Sequence, residues 1–245
     1  MTALDSAISI VIPMYNEADN VGPLLNEVCL AVKDFSAVEI IVVDDGSTDD
    51  TKSRLQQIQT QIPCLKILRH RANFGQSAGI VTGVRNAKYP WIVTLDGDGQ
   101  NDPADIPLLF AQLGALNNKT QLVLIVGNRK KRQDNWLRLV STRIANSVRA
   151  KLLQDDCPDT GCGLKIFSRD AFLTLPHFNH VHRFLPALFK RAGGQVINTP
   201  VNHRPRLRGQ SKYGVMNRLW VGIVDLFGVV WLLRRPCRPE IDYEL

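Results

Sequence analysis

Hydrophobic positions in this chain fall into two patterns. Short, mostly apolar runs occupy residues 8–12, 38–43, 65–68, 91–95 and 122–126, the first four each interrupted by one polar residue, and they are rich in β-branched residues. Runs of that length and composition predict strands buried on both faces of a parallel sheet. Between them, apolar residues recur at helical spacing. Val21, Leu24, Leu25, Val28 and Val32 share one face of a helix predicted over residues 21–35, and Leu55 and Ile58 mark a second helix that Thr48 or Asp49 can cap. Residues 69–83 begin as a polar loop, RHRANFGQS, and pass into AGIVTGVRNA, a small-residue helix whose glycines permit close packing. This β-α-β alternation with short connections predicts an α/β fold, a doubly wound and mostly parallel sheet flanked by helices.

Each predicted strand ends abruptly in polar residues. Pro13-Met14-Tyr15-Asn16-Glu17, Asp44-Asp45-Gly46-Ser47, Asp96-Gly97-Asp98-Gly99-Gln100 and Gly127-Asn128-Arg129 all follow apolar runs directly. In doubly wound sheets ligands bind beyond the carboxyl ends of the strands, so these four loops predict one site. The stretch WIVTLDGDGQNDPADIP carries the most chemistry. Asp96 and Asp98, with the amide oxygen of Gln100, are hard oxygen donors that suit Mg²⁺ or Mn²⁺. Any strand-to-helix loop also favours Asp, Gly, Asn and Pro, so this motif alone does not decide between a metal site and a turn. Pro103 and Asp105 fit the first turn of a following helix.

Several classes are excluded or lose support. A phosphorelay receiver domain is about half this length, and its acid pair follows the first strand rather than the second. Neither a G-x-x-x-x-G-K-[ST] loop nor a G-x-G-x-x-G fingerprint occurs in the 245 residues. The five cysteines are odd in number and lack C-x₂-C spacing, which reads as reduced thiols rather than a disulfide framework or zinc ribbon. His177, His180 and His182 have no nearby cysteine pair; they read as a polar helix end or a face toward an acceptor rather than as a zinc site. The N-terminus has Asp5 before its apolar run and Pro13 cutting it short, unlike a signal peptide, so a cytoplasmic body is expected.

Charge is unevenly placed. Lys plus Arg balance Asp plus Glu at 19 each over residues 1–182, but stand at 11 against 4 over residues 183–245. A basic tail suits anionic lipid, phosphate-bearing substrates or nucleic acid, and no nucleic-acid motif accompanies it. Residues 219–233, LWVGIVDLFGVVWLL, form the most apolar segment. At about 1.5 Å per residue this helix rises only about 22 Å, short of the roughly 30 Å hydrocarbon core, and it carries Asp225 at its middle. With Arg218 before it and Arg234, Arg235 and Arg238 after it, the segment predicts a helix lying in a headgroup layer. The alternative is a helix packed on the catalytic body or against a second copy of the chain.

Taken together, IVIPMYNEADNV, IIVVDDGSTDDT, NFGQSAGI, TLDGDGQNDPADIP, GNR, DTGCGLKIFSRDA and RPRLRGQSKYG resemble the family 2 glycosyltransferases of the GT-A fold. They are most similar to the dolichyl-phosphate and polyprenyl-phosphate glycosyltransferases, such as the dolichyl-phosphate mannosyltransferases. The resemblance runs from about Ile8 to about Tyr213. It implies a nucleotide-sugar site of Pro13, Tyr15, Glu17, Asp44, Asp45, Asp96, Arg208 and Lys212, with Asp44 at the ribose or base edge and Asp96, Asp98 and Gln100 around Mg²⁺ or Mn²⁺. Helix capping is the alternative role for Asp45 and Asp49. Arg129, Arg138, Ser141, Arg208 and Ser211 would meet diphosphate or acceptor phosphate. Asp159, in a loop opening the helix-bearing segment after it, would orient the sugar or an arginine; a capping Asp in a tight turn is the other reading. Gly99 stands where the family more often has a bulkier residue.

The family's hydroxyl-directed members use a later Glu-Asp pair as base, and its processive synthases add Q-x-x-R-W; neither occurs here. After Asp170 the acids are Asp225, Glu240, Asp242 and Glu244. A lipid phosphate is already anionic and needs no base, so the resemblance implies inverting transfer from GDP-mannose or a UDP-sugar to a polyprenyl phosphate, in cell-envelope glycan synthesis. Transfer to a glycan or glycerolipid, or nucleotide-sugar binding without turnover, are the alternatives. The expected organisation is a catalytic domain over 1–210 and an amphipathic tail over 211–245. The expected location is peripheral, on the cytoplasmic face of the inner membrane. No spanning helix occurs up to Leu245, so movement of product across the bilayer is expected to fall to another protein.

Overall fold

The computed structural model describes residues 7–114, 116, 122–129, 149–205 and 215–235. Among them, seven strands form one sheet in the order β3-β2-β1-β4-β6-β5-β7. The strands are β1 (Ala7–Met14), β2 (Ala37–Asp44), β3 (Leu65–Arg69), β4 (Trp91–Thr94), β5 (Val123–Arg129), β6 (Lys165–Ser168) and β7 (Gln195–Val201). The helices are α1 (Ala18–Ala31), α2 (Thr51–Gln59), α3 (Gln76–Arg85), α4 (Ile106–Gly114), α5 (Arg169–Thr174), α6 (Leu185–Arg191) and α7 (Val215–Leu233).

The apolar runs of β1, β2, β4 and β5 form strands covered on both faces, whereas β3, at the sheet edge, is only partly covered. Ile8, Ile10 and Ile12 of β1, with Ile40 and Val42 of β2, point into a core shared with α1, α2 and α4. Val11, Ile41 and Val43 point the other way, toward Ile80 and Val84 of α3, Phe172 of α5 and Phe189 of α6. The glycines of α3 do bring it close to β1: a side-chain carbon at Gly83 would lie 2.3 Å from Val11 Cγ1, and one at Gly79 would lie 2.8 Å from Pro13 Cβ.

Two strands were not legible. β6 is four residues long and β7 reads QVINTPV, with Pro200 and three polar residues in it. The segment after Asp159 therefore enters a strand before reaching α5, where Ser168 Oγ accepts from the Ala171 amide at 3.4 Å. That strand matters for position. β6 runs antiparallel to both β4 and β5, while β1, β2, β3 and β4 run parallel. It starts at the edge where the others end, so the Asp159–Gly163 loop joins the four strand-end loops.

The second helix also starts later than predicted. Asp50 occupies its cap position, Thr48 is drawn off by Asn16, whose Oδ1 accepts the Thr48 amide at 2.7 Å, and Asp49 Oδ1 accepts from the Thr51 amide at 3.0 Å. Among the described residues, no helix is long and apolar enough to cross a membrane. α7 packs by Leu226, Val229, Val230 and Leu233 against Leu153, Phe184 and Ala187.

Candidate active site

The loops that leave β1 and β2 are tied together by short polar contacts. The Asn16 amide donates to Ser47 Oγ at 2.9 Å and the Glu17 amide to Thr51 Oγ1 at 2.9 Å. Asn16 takes a left-handed conformation (φ 52°), and Glu17 Oε2 accepts from Asn20 Nδ2 at 2.7 Å. Tyr15 and Glu17 are thereby held beside the acidic loop that follows β2.

Asp44 and Asp45 are both buried but serve different neighbours. Asp44 Oδ1 accepts from the Ser47 amide at 2.9 Å; its Oδ2 has no hydrogen bond and meets Arg69 Nε only at 3.3 Å. Asp45 instead gathers the polar loop before α3. It takes His70 Nδ1 at 2.6 Å, the Phe74 amide at 2.9 Å and the Gly75 amide at 2.7 Å, so it does not cap α2. Gly46 sits at φ 73°, where a side chain would strike the Ala72 backbone at 2.5 Å, which fixes glycine at this crossing.

The loop after β4 is built around Asp96. Gln76 Nε2, from the first turn of α3, donates to Asp96 Oδ1 at 2.6 Å, and the Asp96 amide donates to Asn101 Oδ1 at 3.2 Å. Asp98 Oδ1 accepts from the Gln100 amide at 3.1 Å, closing the turn in which Gly99 adopts φ 73°. Burial, and next to it the charge of Asp98, push the Asp96 carboxyl up to about 6, against the pull of Lys165 and Arg129. Asp96 and Asp98, two hard oxygen donors in one turn, would suit a divalent ion. Mg²⁺ characteristically takes one or two carboxylates and completes its shell with water and substrate phosphates.

Opposite Asp96 stands a cationic wall. Arg129 Nε and Nη2 donate to Asp159 Oδ2 and Oδ1, each at 2.6 Å, a two-pronged pair with both side chains nearly buried. Lys165, also buried, donates to Thr160 O at 3.2 Å and to Cys162 O. Asp159 thus pairs with Arg129 through both oxygens. The fork geometry matches a carboxylate as it would a phosphate.

The three histidines take separate partners. His177 Nε2 meets Phe172 O at 3.1 Å, His180 Nδ1 meets Asp225 Oδ2 at 2.8 Å, and His182 Nδ1 meets Ser77 Oγ at 2.7 Å. No site role was expected of Gln76, Lys165 or Gly163, and Asn101 was expected only in a turn, although all four lie inside the motifs quoted above. A lysine opening an apolar strand, and a glutamine at a helix start beside a site, are the signals that could have marked two of them. Arg138, Ser141, Arg208, Ser211 and Lys212 lie outside the described residues.

The model of a known family, glycosyl transferase family 2, matches residues 9–175, which include every loop of this site. The chain belongs to glycosyl transferase family 2. This family 2 glycosyltransferase is 35% identical over 237 residues to a dodecaprenyl-phosphate galacturonate synthase of Rhizobium johnstonii, covering 95% of the chain and 69% of that relative. It is 33% identical over 214 residues to an undecaprenyl-phosphate 4-deoxy-4-formamido-L-arabinose transferase of Edwardsiella ictaluri, covering 85% of the chain and 63% of the relative. The chain therefore spans roughly two thirds of the length of these relatives.

Solved structures agree on the fold. Glucosyl-3-phosphoglycerate synthase from Mycobacterium tuberculosis, in complex with phosphoglyceric acid, superimposes with a TM-score of 0.69 at 19% identity, over 93% of this chain and 80% of that one. A mannosyltransferase from Pyrobaculum calidifontis, in complex with GDP-mannose and Mn²⁺, gives 0.67 at 17% identity, over 96% and 66%. The glycosyltransferase thus carries a GT-A sheet, and its loops meet at the carboxyl edge.

Proposed function

We propose that this glycosyltransferase moves a sugar from a nucleoside-diphosphate sugar to the phosphate of a polyprenyl lipid, at a membrane surface and with a divalent cation. The observation that carries the acceptor is how the edge carboxylates are used. Asp45 and Asp159 are each held by two or more donors, Asp44 is buried between Ser47 and Arg69, and Asp96 and Asp98 sit in the acidic turn. These commitments favour an acceptor that needs no general base. A phosphate monoester attacks as an anion and requires none, whereas a sugar or glycerol hydroxyl does. Both relatives described above are also named for polyprenyl-phosphate products.

The reaction is then an in-line displacement. A phosphate oxygen of the lipid forms the new bond to the sugar's anomeric carbon, the bond to the nucleoside diphosphate breaks, and the configuration inverts. Asp96, Asp98 and Gln100 would hold Mg²⁺ or Mn²⁺, which supplies charge stabilisation to the leaving diphosphate. Arg129, fixed by Asp159, faces the same diphosphate. Pro13, Tyr15, Glu17, Asp44 and Asp45 form the wall for base and ribose, and Arg138, Ser141, Arg208, Ser211 and Lys212 belong to the phosphate-binding side. Catalysis rests mainly on positioning and charge. Residues 1–210 act as the catalytic unit, and residues 211–245 attach it peripherally to the cytoplasmic face of the membrane.

The test is a transfer assay with a panel of labelled nucleotide sugars, a short-chain polyprenyl phosphate in detergent, and Mn²⁺ or Mg²⁺, run beside Asp98→Asn. Label in the lipid phase only with the unaltered protein supports the reading. Product that forms equally without polyprenyl phosphate, or no lipid label across the panel, sinks it.

A further inference from the structure

Among the described residues, α7 leaves an apolar stripe uncovered. Val224, Phe227 and Trp231 are 55, 65 and 63% exposed, and at about 100° per residue they fall within about 60° of arc. On one flank of that stripe lies a groove of about 720 Å³, bounded by α7, by α6 and by helical residues 149–153. Leu153, Val230 and Leu233 give it an apolar lining, and Lys151, Lys190, Arg191 and Arg234 its charge. Two of these cations are structural in part. Lys190 pairs with Asp156, and Arg191 donates to the carbonyls of Leu232 at 3.1 Å and Arg235 at 3.0 Å, closing the end of α7. Lys151 and Arg234 are exposed and have no ion pair with a carboxylate among the described residues.

We propose that this groove binds the phosphate headgroup of an anionic phospholipid while the Val224-Phe227-Trp231 stripe lies in the bilayer surface. The inference deepens the membrane attachment included in the proposed function and rests on it. Charge and shape choose the occupant. Cations beside an apolar lining and an apolar stripe match a molecule that is anionic at one end and hydrocarbon at the other, and phosphate suits the guanidinium of Arg234. At its α6 end the groove lies away from the diphosphate site, while its other wall, residues 151–154, follows Arg149, which donates to Thr160. α6 ends where β5 begins, with the Gln195 amide donating to Leu122 O at 2.8 Å, whereas Arg129 is at the far end of β5. Six residue steps at about 3.3 Å put the two roughly 20 Å apart along the strand. The lipid bound here is a bulk membrane phospholipid, distinct from the substrate if transfer survives loss of the groove's cations.

The experiment measures binding of the full chain to vesicles of phosphatidylcholine alone and of phosphatidylcholine with phosphatidylglycerol. Lys151→Gln with Arg234→Gln is expected to lose roughly twentyfold affinity for the anionic vesicles, about fivefold per surface cation, and to change little on the neutral ones. Phe227→Ser with Trp231→Ser is expected to weaken binding to both. Lys33→Gln with Lys52→Gln, two exposed lysines of the opposite helical layer, is expected to leave the anionic preference intact. Equal binding of the unaltered protein to both vesicles, retention of the preference by the Lys151/Arg234 pair, or equal loss with the Lys33/Lys52 pair would each overturn the proposal. Transfer to detergent-dispersed polyprenyl phosphate is expected to survive the Lys151/Arg234 change. Absence of transfer by the unaltered protein, with the anionic preference present, counts against the acceptor and not against the groove.

Discussion

Gly163 and Asp96 stand so close that a side-chain carbon at residue 163 would lie 2.2 Å from Asp96 Cγ. The backbone before β6 therefore forms one wall of the pocket for the acidic side chain that follows β4, with Gln76 on another side. Thr94 Oγ1 fixes that wall by donating to Gly163 O at 2.7 Å. A methyl group at 163 has to push the carboxylate off Gln76, and this displacement is local. Gly163→Ala is expected to fold with a small change in melting temperature and to lose about 100-fold in transfer rate, the scale of a misplacement near 1 Å. Thermal melts and initial rates on the same preparation check it. Unchanged rates would mean that Asp96 is not held where the reaction needs it.

The pair between Arg129 and Asp159 makes a different prediction because both partners are nearly buried, at 13 and 10% side-chain exposure. Removing the carboxylate leaves an uncompensated guanidinium in a place from which water is largely excluded. Asp159→Ala is expected to cost about 3 kcal/mol of stability, and transfer is expected to fall with it as the arginine loses its orientation. Arg129→Lys keeps the charge but gives up the fork, so it is expected to retain more stability than Asp159→Ala and still to impair transfer. Denaturant melts and rates of both variants separate the two effects.

His182 supplies the pH dependence. Burial pushes its imidazole well below the ordinary 6.5, and the charges of Lys165, Arg183 and His180 add to the shift. The folded protein therefore keeps His182 neutral where the unfolded chain would already bind a proton. Because the unfolded state holds the extra proton, stability is full above about pH 6.5 and falls as pH drops below it, by up to about 1.4 kcal/mol per unit from this one group. Asn at this position keeps an acceptor for Ser77 and does not titrate. His182→Asn is expected to flatten the stability profile between pH 5 and about pH 6.5, read from melts across that range. A profile that stays as steep as before would assign the loss to other groups.

How much of this was legible depends on whether a signal was local. The buried runs of β1, β2 and β4 and the acids at their ends are written in consecutive residues, and the edge they form follows from topology alone. Lys165 and Gly163 act on Asp96 through a strand that enters against the direction of its neighbours, and a four-residue run such as KIFS has no periodicity from which to read that. Gln76 shows the same limit: its motif was recognisable as a loop and helix start, but its reach to Asp96 exists only after α3 has packed on β1. The tail was half legible. Its apolar run was readable and Asp225 marked it as unusual. The helix, however, begins at Val215, four residues before the expected start, so its 19 residues exceed the 15 on which the length argument rested. That the acid had a partner 45 residues away in sequence was not readable.

That partner, His180, sits in a left-handed backbone conformation (φ 63°) just before a short turn of helix, Val181–Arg183, and meets Asp225 at 2.8 Å. Two residues on, His182 reaches Ser77 at the start of α3, so the loop that receives α7 also touches the helix that carries Gln76. The His180-Asp225 contact is partly exposed, and an exposed pair contributes about 0.2–1 kcal/mol. It is too weak to hold α7 alone, because Val229 and its neighbours already bury the other half of the helix. Asp225→Asn is therefore expected to loosen α7 locally without unfolding the sheet. Amide hydrogen exchange should become roughly two- to fivefold faster in the α7 peptides and stay unchanged in β1 and β2. Affinity for the nucleotide is expected to hold, since Gln76 keeps its own bond to Asp96. Exchange that accelerates throughout the sheet would show instead that the tail helix is part of the catalytic core's cooperative unit.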